Sequence, residues 1–274
     1  MMKYFFLLLT FSICLSGSSQ EAKWYCDAHP ENVEIKWYET ALGPQKALFV
    51  YPKKVEEPTE LVVFIHGDSP FGDPFYQYFV AKNISKITNA ITVALLRPGY
   101  GDGCGDVSGG TKGLTYGDNY TEEVVNAIGS VIKEVKKEIK ATRTTVMGHS
   151  GGAALTALLA ASQPQLMEQS ILAACPCNLD AWRKSMNELT GDAGWLNPMP
   201  GLSPLDAISE LDQDRSIHLF VGDKDVVAPS FLTQQYYDEL KAIGGNVSIK
   251  IFDGEDHESI VRKEVLTSIF TIVK

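Results

Sequence analysis

Short apolar runs rich in β-branched and aromatic residues fall at 33–38, 47–51, 61–65, 91–96, 144–147, 170–174, 217–221 and 247–252, predicting about eight strands. From the third run onward a helical or longer connecting segment follows each one, which is the pattern of a parallel sheet built from βαβ units. The first two runs lie close together and predict an antiparallel start. LVVFI, ITVALL and IHLFV are almost continuously apolar, so the sheet should be buried on both faces, with helices on each.

Between the fourth and fifth runs, Val124, Ile128, Val131, Val135 and Ile139 recur at three- and four-residue spacing and predict one apolar helix face. Thr121 can cap this helix, with Glu122 and Glu123 in its first turn and Lys136, Lys137 and Lys140 at its end, as the helix dipole favours. A final helix over 259–273 repeats Val261, Val265, Ile269 and Ile272 in the same way. Only 175–215 breaks the alternation, and it reads as a cap-like insertion. Its Trp182, Met186, Trp195, Leu196, Pro198 and Met199 can either line an apolar pocket or pack the excursion onto the domain.

A chain of 274 residues, 45% hydrophobic and 10% aromatic, can bury a full core, and one catalytic domain over 20–274 is expected. The net charge of -10 gives no basis for nucleic acid or anionic lipid as a partner, since both reward clustered Lys and Arg. Residues 1–19 carry Lys3, an apolar stretch over 4–15 and then Ser16, Gly17, Ser18 and Ser19, the layout of a secretory signal peptide cleaved between Gly17 and Gln20. The apolar stretch falls short of the ~20 residues that cross a bilayer. The bulky Ile13 before Cys14 argues against a lipidated cysteine, and a secreted or periplasmic location is expected. Removal of the leader leaves Cys26, Cys104, Cys175 and Cys177, an even set suited to disulfides. A bridge between Cys175 and Cys177 encloses only Pro176 and would be strained, so the expected bond joins one of them to Cys104. Sequons at Asn83, Asn119 and Asn246 are too short a pattern to carry weight.

The chemistry gathers at strand ends. Directly after the run at 144–147 comes Gly148-His149-Ser150-Gly151-Gly152, followed by a helix-forming stretch over 153–161. This is a G-x-S-x-G elbow in a strand, turn, helix context: the tight turn demands residues without side chains at the flanks, and the helix N-terminus favours developing negative charge. A serine hydroxyl needs a base within hydrogen-bond reach and a third group to orient that base. Downstream, the run at 217–221 leads into Gly222-Asp223-Lys224-Asp225, and the run at 247–252 leads into Asp253-Gly254-Glu255-Asp256-His257. Both lie just past the carboxyl ends of strands, where open α/β sheets place their sites. Of the remaining histidines, His29 sits in a polar segment, His218 lies within a strand, His149 occupies the variable position of the elbow and His66 ends a strand.

These segments, in the order Ser, Asp, His, resemble the α/β-hydrolase superfamily of serine esterases, lipases and peptidases over about 33–273. The resemblance implies a mostly parallel sheet of about eight strands with helices on both faces and a short cap, and a triad of Ser150 as nucleophile, His257 as base and Asp225 as orienting acid. Asp225 is preferred over Asp223 because Gly222-Asp223-Lys224-Asp225 with Pro229 matches the superfamily's acid-bearing turn. Phe64-Ile65-His66-Gly67-Asp68 resembles the oxyanion-hole segment, with backbone N–H donors expected from Asp68, or alternatively Ser69, and from Gly151. The carboxylate of Asp68 departs from the family pattern and must point away or be neutralised. Arg97-Pro98-Gly99-Tyr100-Gly101 is similar to a loop that borders many such sites, and His66, Tyr100, His149, Trp182 and Trp195 are the expected pocket residues. The implied reaction cleaves a small-molecule carboxylic ester through an acyl-enzyme on Ser150, with no metal and no cofactor. A peptidase or acyltransferase with the same triad, and a noncatalytic binding protein on this fold, are the alternatives.

Overall fold

The computed structural model describes residues 25–26, 31–57 and 59–273. The expected leader over 1–19 and His29 lie outside the described residues. Eight strands form one sheet: β1 (Val33–Thr40), β2 (Gly43–Val50), β3 (Glu60–Ile65), β4 (Ile91–Leu95), β5 (Arg143–His149), β6 (Gln169–Ala173), β7 (Ser216–Gly222) and β8 (Val247–Phe252). Their spatial order is β1-β2-β4-β3-β5-β6-β7-β8. The β1–β2 and β2–β4 pairs are antiparallel and the other five pairs are parallel, as the antiparallel start followed by βαβ units requires.

Alternation along the strands divides the core between the two faces. Leu61, Val63 and Ile65 of β3 join one cluster with Ile128 and Val131 of α2 (Glu122–Ile139), Leu155 and Leu159 of α3 (Gly151–Ser162), Trp182 of α4 (Leu179–Thr190) and Leu232 of α5 (Ser230–Ala242). Val62 and Phe64 join the opposite cluster with Val80 and Ile84 of α1 (Tyr76–Thr88) and Ile269 of α6 (Lys263–Val273). Such strands are buried on both sides, which is why they read as unbroken apolar runs. Thr121 caps α2, its hydroxyl accepting from the Val124 N–H at 3.5 Å. Among the described residues, no helix is long and apolar enough to cross a membrane.

The last helix begins later than its periodicity predicts. His257–Val261 forms a 3-10 turn capped by Asp256, Arg262 turns extended, and α6 starts at Lys263. Strand β2 also reaches beyond its apolar run to take in Gln45 and Lys46, both 1% exposed. Lys46 tolerates burial because its ammonium pairs with the carboxylate of Asp102, which is itself fully buried, and with Asp106 at 2.7 Å.

The expected pairing of Cys104 with Cys175 or Cys177 does not occur. Cys26 is bonded to Cys104 and Cys175 to Cys177, with Cα–Cα distances of 5.3 and 5.1 Å. Sheet order supplies the reason: Cys104 follows β4 and Cys175 follows β6, and β3 and β5 intervene. That places the two strands ~14 Å apart at the usual strand spacing, beyond the reach of a disulfide.

Candidate active site

Ser150 is placed at the carboxyl end of β5, with φ +52° and ψ -124°. A residue with a side chain holds such a conformation only when its surroundings impose it, at a cost of ~1–3 kcal/mol. Here the Ser150 N–H donates to Ala173 O on β6 at 2.9 Å, and its carbonyl accepts from the N–H groups of Ala153 and Ala154. The flanking glycines make this closure possible. A Cβ on Gly148 would lie 2.2 Å from Gly152 O, and one on Gly152 would lie 2.2 Å from Ile65 O. Gly67 packs against the serine from the other side, its own Cβ position 2.9 Å from Ser150 Cβ.

Asp225 and His257 meet across the loops after β7 and β8. The imidazole Nδ1–H donates to Asp225 Oδ2 at 2.8 Å, while Asp225 Oδ1 accepts the N–H groups of Val227 at 2.9 Å and Ala228 at 2.8 Å. Burial alone would depress the His257 pKa, but the Asp225 hydrogen bond and charge, with Glu258 and Asp256 adding, hold it above the ordinary value. The neighbouring acids are occupied elsewhere: Asp223 accepts the Gly254 N–H, Asp256 caps the 3-10 turn and Glu255 faces Arg262. Among the described residues Ser150 Oγ makes no hydrogen bond, and His257 reaches the elbow through the adjacent His149, whose Nε2 lies 2.9 Å from His257 O. Hydrogen bonds between nucleophile and base commonly tighten only once substrate is present.

The carboxylate of Asp68 is neutralised rather than turned away. Arg97 Nη1 donates to Oδ1 at 2.9 Å, Tyr100 Oη to the same oxygen at 3.0 Å and Tyr120 Oη to Oδ2 at 2.6 Å. The Arg97 guanidinium is fully buried and also lies over the Tyr100 and Tyr120 rings, 4.9 and 5.9 Å from their centroids. The Ser69 N–H is directed at the Tyr100 phenol, whereas the Asp68 N–H donates to no other described residue. Gly151, the first residue of α3, likewise has no helical acceptor for its N–H. Both amides are free donors near Ser150. Replacing Asp68 by alanine strands a buried guanidinium and is expected to cost about 3–5 kcal/mol in urea unfolding.

The five expected pocket residues are all buried. His66, Tyr100, His149, Trp182 and Trp195 are each no more than 8% exposed. His66 Nδ1–H donates to Gly67 O and Nε2 accepts the Arg97 N–H, so the ring braces the turn that carries Asp68. Burial, with Arg97 nearby, holds the His66 pKa well below its usual value. Trp182 Nε1–H donates to Val227 O at 2.8 Å, tying α4 to the loop that anchors Asp225. Trp195 packs between Tyr116, whose ring is tilted against it, and Trp182, which it meets edge-on, so the cap aromatics pack the insertion onto the domain. Four residues that sequence reasoning left unassigned contribute to the site: Tyr76, Arg97, Tyr120 and Val227. Arg97 lay within a loop already singled out, but its burial against Asp68 together with Tyr120 had no signature in the pattern.

The prolyl oligopeptidase family model matches residues 111–269, more than half of the chain. The chain belongs to the prolyl oligopeptidase family. The matched part holds Ser150, Asp225 and His257, while His66, Asp68 and Arg97 fall in the part that the prolyl oligopeptidase family model leaves unmatched. No curated protein sequence matches the chain. Solved structures share its α/β-hydrolase fold at low identity. The hyperthermophilic esterase of the archaeon Pyrobaculum calidifontis is 16% identical with a TM-score of 0.66, over 93% of this chain and 88% of that one. Est1E of Butyrivibrio proteoclasticus is 16% identical with a TM-score of 0.65, over 88% of this chain and 96% of its own. The acylaminoacyl peptidase of Pyrococcus horikoshii is 18% identical with a TM-score of 0.65, over 89% of this chain but only 41% of the peptidase. The chain therefore pairs the α/β-hydrolase fold with membership of a serine hydrolase-like family.

Proposed function

We propose that the chain is a secreted serine hydrolase that cleaves carboxylic esters through an acyl-enzyme on Ser150. The observation that carries this reading is the Asp225–His257 pair, bonded at 2.8 Å and joined through His149 to the strained elbow that carries Ser150. His257 Nε2 takes the Ser150 proton as Oγ attacks the substrate carbonyl carbon, and the amides of Asp68 and Gly151 hold the oxyanion. The imidazolium then protonates the leaving alkoxide as the carbonyl re-forms. A water, deprotonated by the same nitrogen, releases the acid and regenerates Ser150. Asp225 keeps the tautomer in place and stabilises the cation through both halves of the cycle.

The ester preference rests on size: Est1E and the Pyrobaculum esterase are covered over most of their own length, whereas the acylaminoacyl peptidase is covered over less than half. Secretion is supported by the leader-like residues 1–19 and by two disulfides, which persist in oxidising compartments. Membership of the prolyl oligopeptidase family favours a second reading, hydrolysis of aminoacyl or prolyl amides by the same residues. A panel of ethyl and nitrophenyl esters of increasing acyl length, assayed beside aminoacyl and prolyl nitroanilides, decides between them. Higher kcat/KM on the esters, the alkyl esters included, is the expected result. Preference for the amides would replace the ester reading and leave the nucleophile assignment standing.

A further inference from the structure

The three loops of the site are joined by a chain of hydrogen bonds that the reaction itself does not use. The Gly67 N–H donates to Tyr76 Oη at 2.6 Å, Tyr76 Oη lies 2.9 Å from His149 Nδ1, and His149 Nε2 lies 2.9 Å from the main-chain carbonyl oxygen of His257. Each end of this chain fixes its polarity. A peptide N–H can only donate and a carbonyl can only accept, so Tyr76 donates to Nδ1 and His149 carries its proton on Nε2. His149 is 3% exposed, and its ring meets Tyr76 edge-on, with centroids 5.5 Å apart, and His257 at 4.9 Å. Burial, then the neighbouring charge of His257, lowers its pKa to about 3, so it stays neutral and in one tautomer through the working range.

Resting on the reading of His257 as the base, we infer that His149 is a positioning residue whose Nε2–H holds the His257 main chain in register with Ser150, with Tyr76 setting its tautomer. Two features make the link consequential. His149 is the residue before the nucleophile, so any movement of β5 carries its ring along with Ser150. His257 opens a 3-10 turn in a connecting loop, where the orientation of its imidazole depends on how its main chain is held as well as on Asp225. The relay thus ties the base to the same backbone that carries the nucleophile, and ties both to the oxyanion loop through Gly67. A reacting geometry displaced by about 1 Å commonly costs on the order of 10²-fold in rate.

The ordering of conservative variants tests this. His149→Gln places an amide N–H near the Nε2 position and should keep kcat within about threefold of wild type. His149→Phe keeps the ring and its edge contact but loses the donor, and kcat should fall ~10²-fold at unchanged KM. A purely steric role predicts the reverse order, with Phe above Gln. Tyr76→Phe removes one hydroxyl only and should lower kcat about tenfold with KM unchanged; it decides the matter should His149→Phe fail to fold. Melting temperature, followed for each variant, separates loss of fold from loss of register. Wild-type kcat in folded His149→Phe, or in Tyr76→Phe, overturns the inference. A wild-type protein that a fluorophosphonate does not label would instead overturn the serine hydrolase reading, so the two failures are distinct.

Discussion

Ser150→Ala is expected to abolish labelling by a fluorophosphonate and to lower kcat by on the order of 10⁵–10⁶-fold, with the fold intact. The size of the loss follows from the arrangement around Oγ. A neutral hydroxyl is a weak nucleophile, and without it His257 has no proton to remove and no covalent intermediate can form. Some acceleration over water should persist, because the Asp68 and Gly151 amides and the binding surface are untouched. Folding should be retained because alanine meets the same backbone demand that serine already meets at φ +52°. Ser150→Gly offers an internal check: it should be equally inactive yet more stable by ~1–3 kcal/mol, since glycine adopts that conformation without strain. Labelling that survives in Ser150→Ala, read by intact-protein mass spectrometry, would place the nucleophile elsewhere.

The pH profile carries the second large effect. Only neutral His257 can accept a proton, so kcat/KM should fall as pH drops through its pKa. With Asp225 raising that pKa above the ordinary 6.5, the acid limb should have its midpoint above 6.5. In Asp225→Asn both the hydrogen bond to the carboxylate and its charge are lost, while burial, which opposes the cation, remains. The midpoint should therefore move below 6.5, and kcat at neutral pH should fall on the order of 10⁴-fold because the imidazole loses its oriented tautomer. An unchanged midpoint in the variant would mean that another group sets the acid limb. His149 does not interfere, since its proton is lost near 3.

Much of the architecture was legible because burial on both faces of a parallel sheet leaves nearly unbroken apolar runs, and because amphipathic helices repeat at the helical period. The three candidate site segments were legible for a related reason: elbow, acid turn and histidine loop each follow a strand directly, and parallel strands place all three at one edge of the sheet. The disulfides were not legible, since the separation of Cys104 from Cys175 depends on the crossing order β4-β3-β5-β6, which no local pattern records. Nor were the partners of Trp182 and Trp195, because an aromatic in an insertion has the same local signature whatever it packs against.

Sequence alone nominated Ser150, Asp225 and His257, through glycines that only a tight turn requires and loops that follow strands. Tertiary structure decided everything that depends on partners distant in the chain: the neutralisation of Asp68 by Arg97, Tyr100 and Tyr120, the free amide at Asp68 rather than Ser69, and the link from His149 to His257 across 108 positions. Local pattern reports which conformation a segment favours; the charge balance and register of a site arise only when several such segments are brought into contact.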